Sequence, residues 1–137
     1  MRSTAMLTRA YRTLRDPVER GLYWLELRGD RLSRDNNAVP AELAALVFEV
    51  QDELEELRSS HGSSTSIEAR RAEVEAKLKD ATVALVANFS AWDLASENEF
   101  PALSRDLKSI LSRIAYLRTL VRDIDRTLET ARAAHHA

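Results

Sequence analysis

The side chains best placed to do chemistry in this chain are carboxylates, and most of them lack the company that catalysis needs. The histidines are His61, among small polar residues, and His135 and His136 at the C-terminal end. None makes a metal-spaced pair with a carboxylate on one helical face, so no metal site and no histidine-based catalysis are expected. There is no cysteine. That removes disulfides, thiolate nucleophiles and Cys-ligated zinc together, and it fits a reducing compartment. No phosphate-cradling glycine loop is present, and no residue pattern requires a cofactor. The sequence reads as that of a non-enzyme.

What remains is a constellation suited to binding. At 100° per residue, Phe48 points roughly 150° away from the centre of the Leu/Val stripe on its own helix. Its neighbours on that outer surface are Ala44, Ala45, Glu49, Asp52 and Glu56. A large aromatic ringed by acids and set outside the core stripe suits a protein-binding spot. The alternative is that Phe48 packs under residues 29–39 or against the first helices. Tyr116 is also off the stripe of its helix, either as a half-buried rim residue or as a contact.

The N-terminal arginines raise two further classes. Arg2, Arg9, Arg12, Arg15 and Arg20 superficially resemble a mitochondrial presequence, but Asp16 and Glu19 interrupt them and the pattern runs on into an apolar, aromatic stretch. They make no continuous strip with stacking aromatics and belong to no recognisable nucleic-acid module, so no nucleic-acid partner is expected. The net charge of −2 exerts no general pull toward nucleic acid or membrane, and no apolar run is long enough to span a bilayer.

The elements that position these residues are helices. The 137 residues suit one domain, and three glycines and three prolines are too few for the turns of a sandwich or barrel. A first short helix is expected over 4–14 (Ala5, Leu7, Ala10, Tyr11, Leu14). It ends where Pro17 pushes the preceding residue out of the α region. Asp16 then caps a second helix with Pro17 at its first position, carrying Val18, Leu22, Trp24, Leu25 and Leu27 and stopping at Gly29. After a polar connection, Pro40 opens a third helix to about Ser60, with Leu43, Leu46, Val47, Val50, Leu54 and Leu57 inward. A fourth is expected over about 66–95, and "SENEFP" at 96–101 breaks it. The fifth spans about 101–133, to a frayed end. Three long amphipathic helices with short loops imply an antiparallel bundle or coiled coil.

Residues 10–29, "AYRTLRDPVERGLYWLELRG", resemble the end of the J-domain in the HscB family, J-protein co-chaperones of iron–sulfur cluster assembly. The shared pattern is Ala10-Tyr11, Thr13-Leu14, Asp16-Pro17, Arg20, Tyr23 and Leu25. The acidic helix "FEVQDELEEL" and the final "IAYLRTLVRDIDRTL" resemble that family's C-terminal three-helix bundle. The resemblance implies an all-α fold, with two short J-domain helices packed on a C-terminal antiparallel three-helix bundle. It divides the chain into a J-domain remnant (1–29), a linker (30–39) and a scaffold-binding bundle (40–137).

It also implies a function: binding an IscU-type iron–sulfur scaffold for delivery to a DnaK/HscA-class ATPase chaperone in the bacterial cytoplasm. The contacts carried over are Phe48, Glu49, Asp52 and Glu56 on the acidic helix, Tyr116 on the last helix, and two apolar positions held here by Ala44 and Ala45. Lost bulk at an apolar anchor weakens binding by roughly a kcal/mol or more per side chain. The matching region begins inside the third J-domain helix, and the chain contains no His-Pro-Asp motif. Stimulation of the ATPase is therefore not expected. A different class of function, a coiled-coil assembly module that forms a homodimer through its off-stripe residues, stays open beside this one.

Overall fold

The computed structural model describes residues 16–28, 40–59 and 64–136, with side chains through Ala133. The helix expected over 4–14, the linker and His61 lie outside the described residues. Among the described residues there are four α-helices: α1 (Pro17–Leu27), α2 (Ala44–Arg58), α3 (Ser64–Leu94) and α4 (Phe100–His136). Among the described residues there is no strand, and the fold is all-α.

The helix boundaries follow local chemistry. Asp16 is extended, and its carboxylate accepts from the Val18 N–H at 2.9 Å, while Pro17 fills the first helical position. A missing N–H costs nothing there. Pro40 leads into one 3₁₀ turn (Ala41–Leu43) before α2 becomes regular. A second 3₁₀ turn (Glu97–Glu99) starts α4, where the Ser96 hydroxyl donates to Glu99 at 3.1 Å. Two expectations shift. The helix expected at 66 starts at Ser64, and the last helix runs to His136 where a frayed end was expected.

The chain divides into two compact units, and α3 and α4 contribute to both. One unit combines α1 with residues 80–113. Its interior holds Leu25, Ala81, Leu85, Trp92, Leu107, Ile110 and Leu111. Gly21 permits a close approach, since a Cβ there would stand 3.3 Å from a Leu111 methyl. Of the apolar residues expected inward on α1 only Leu25 is buried, and Leu27 is exposed.

The other unit combines α2 with residues 64–79 and 114–136. Leu43, Leu46, Val50 and Leu54 pack inward with Ile67, Val74, Ile114, Leu117, Leu120, Ile124 and Leu128. Val47 and Leu57, at the edges of the expected stripe, are half-buried. The ion pairs report direction here. Arg71 meets Asp125 and Glu68 meets Arg132, so partners fall along α3 as they rise along α4, which makes the two helices antiparallel in this unit.

Candidate partner-binding surface

The α2 stripe places Leu46, Val50 and Leu54 inward, and the helical period then forces the opposite face into solvent. Phe48 is 72% exposed, and residues 29–39, expected as one possible cover for it, lie outside the described residues. Ala44, Ala45, Asp52 and Glu56 are exposed around it. Along this face the order is therefore small apolar, aromatic, acidic. Neither Asp52 nor Glu56 forms a salt bridge among the described residues.

Glu49 behaves differently. It lies about 100° round the helix from Phe48, toward α3, and its carboxylate is 3.1 Å from the Arg70 guanidinium. Arg70 also bonds Glu53 at 3.1 Å and Glu73 at 3.0 Å. Chiefly through its hydrogen bonds to Glu53 and Glu73, the guanidinium has its pKa raised above the ordinary value. Glu49 is thus part of the tie between α2 and α3, whereas Asp52 and Glu56 keep their charge facing outward.

Tyr116 is half-buried on α4. Asp125 marks the α4 edge that faces α3, and nine residues of helix turn Tyr116 about 180° from it. The tie to Arg70 sets Glu49 to one flank of the Phe48 face.

Two features escaped the sequence pattern. The tie formed by Arg70 depends on the register of α2 against α3, which the residue types alone do not give. The second is an exposed apolar strip on α3, in the other unit: Val83, Val86 and Leu94. Its signal was available, since these residues lie opposite the Ala81, Leu85 and Trp92 face.

No family model, curated protein or solved structure matches this chain. No helix among the described residues is long and apolar enough to cross a membrane. Among them, too, no group of three His, Cys, Asp or Glu side chains is arranged to hold a metal ion.

Proposed function

We propose that this protein is a non-enzymatic, co-chaperone-like binder of an IscU-type iron–sulfur scaffold in the bacterial cytoplasm, acting through the outer face of α2. The reading rests on the residues shared with the HscB family, and the observation that carries it is the exposure of Phe48 between the exposed Ala44 and Ala45 and the exposed acids Asp52 and Glu56. An exposed aromatic supplies desolvated area at the centre of a contact, and Asp52 and Glu56 steer a basic partner and fix its orientation. Tyr116, half-buried on α4, adds a rim contact. Glu49 contributes less, because leaving Arg70 would cost it an existing ion pair. Small side chains at Ala44 and Ala45 make the contact a weak one. The proposal assigns these residues binding of the cargo and not stimulation of a DnaK/HscA-class ATPase, since they include no His-Pro-Asp.

Titration of a labelled IscU-type scaffold tests the reading. Phe48→Ala is expected to weaken binding about tenfold or more, as for a central aromatic anchor. Equal affinity of wild type and variant would remove Phe48 from the site. Sedimentation across concentration separates this from the assembly reading, in which Phe48→Ala would instead dissolve a homodimer.

A further inference from the structure

The strip on α3 lies opposite that helix's buried face and has no partner helix among the described residues. α3 is unbroken from Ser64 to Leu94, so the helical period alone decides which of its residues share a face. Ala76, Asp80, Val83, Ala87, Ser90 and Leu94 recur at alternating steps of four and three, the repeat by which two helices interlock. All six are exposed, Val83 to 65% and Leu94 to 91%, whereas Ala81, Leu85 and Trp92 are buried on the other side. One flank of the repeat carries Lys79, Val86 and Asp93 at intervals of seven residues. Val86 is 48% exposed, and neither Lys79 nor Asp93 has an ion-pair partner among the described residues.

This flank is complementary to itself. Lys79 and Asp93 stand about 21 Å apart at 1.5 Å per residue, too far to pair within one helix. A second α3 laid antiparallel, with the two-fold axis at the level of Leu85, brings Lys79 of each copy beside Asp93 of the other and Val86 beside Val86. The same register matches the repeat level by level. Val83 meets Ala87, Leu94 meets Ala76 and Asp80 meets Ser90, so bulky side chains face small ones and polar faces polar. The Ser90 hydroxyl, turned back onto the Val86 carbonyl at 3.3 Å in the single chain, gains a carboxylate acceptor. A parallel pair has neither property, since it sets Asp80 against Asp80 and leaves Lys79 opposite Ala84.

We propose that this face of α3 is the interface of an antiparallel homodimer, closed at each end by an ion pair between Lys79 of one copy and Asp93 of the other. The charges choose the occupant and its direction, as flanking charges do along paired helices. The interface uses no residue of α2 and is independent of the scaffold-binding reading. One pair of helices buries less than the roughly 1,600 Å² of a standard interface, so the dimer is weak and forms with rising concentration.

Sedimentation equilibrium of the full chain at low salt, at concentrations up to about 1 mM, tests this. A monomer–dimer equilibrium is expected. Val83→Asp combined with Leu94→Asp is expected to leave monomer throughout, with helicity by circular dichroism unchanged because both positions are exposed. Lys79→Glu sets like charges together at both ends and is expected to raise the dissociation constant about tenfold, as is Asp93→Lys. Lys79→Glu and Asp93→Lys together are expected to restore wild-type dimerisation, a rescue that only contact between copies allows. Phe48→Ala is expected to leave the dimer intact. A wild-type chain that stays monomeric, a dimer indifferent to the two aspartates, or a double charge variant no better than the single ones would overturn the proposal. So would loss of the dimer in Phe48→Ala, which would move the interface to α2.

Discussion

The two stretches of α3 are fastened by opposite means. Near its C-terminal end the fastening is buried and directional. Asn88 is 3% exposed. Its amide donates to the Leu103 carbonyl at 3.3 Å and to Asp106 at 3.1 Å, and its oxygen accepts from the Trp92 indole N–H at 3.0 Å. Trp92 in turn meets Trp24 edge-on at 5.5 Å and Phe100 at 5.0 Å, and the Arg28 guanidinium lies over both the Trp92 and Phe100 rings. Toward its N-terminal end α3 is fastened by partly exposed charge, with Arg70 reaching to α2 and Arg71 to α4. A buried amide must have its partners in place, so it fixes one register and one direction. Exposed ion pairs tolerate small shifts and contribute little each. The first unit is therefore specified by a few indispensable contacts, the second by an apolar stripe edged with replaceable ones.

The sharpest way to break this contrast is Trp92→Ala. It opens a cavity and removes the shared partner of Trp24, Phe100 and Arg28, so a loss of about 3–5 kcal/mol is expected in urea denaturation. Asn88→Leu comes next. It preserves volume but leaves the Trp92 N–H buried without its acceptor, for about 1–3 kcal/mol. Because the two side chains share one bond, the double variant should lose less than the sum of the single losses. Full additivity would mean that Asn88 acts through its bonds to α4 alone.

Much of this architecture is legible in the residue pattern. The stripe from Leu43 to Leu54 places α2, and Asp16-Pro17 marks the start of α1. The outward position of Phe48 follows from the same period, because one face of a helix fixes the other. Asn88 was not legible. An asparagine between Ala87 and Phe89 reads as a surface residue until Trp92, one turn on, and the α4 backbone are seen to consume its hydrogen bonds. Glu49 and Asp52 look alike in sequence, and only the register of α2 on α3 separates the acid that Arg70 occupies from the one left in solvent. Periodicity gives the faces of helices, whereas pairing depends on how far one helix has slid along its neighbour.

The smallest effect expected concerns Arg71 and Asp125, and pH isolates it. The guanidinium donates two hydrogen bonds to the carboxylate, at 2.6 and 3.3 Å. Chiefly through these bonds, it holds the Asp125 carboxyl below the usual carboxylate range. A group whose pKa is lowered by folding adds stability above its unfolded value, about 3.9, and loses that contribution as the pH falls through the lowered one. Both side chains are more than a third exposed, at 37% and 44%, so solvent screening keeps the contribution to about 1 kcal/mol or less. Arg71→Ala is thus expected to cost up to that amount at pH 7, with the two urea curves converging as the pH is lowered below 3.9 or as salt is raised. A difference that persisted undiminished in acid would assign the effect to the packing of the Arg71 aliphatic stem. In that case the second unit, like the first, would be held by contacts that charge does not govern.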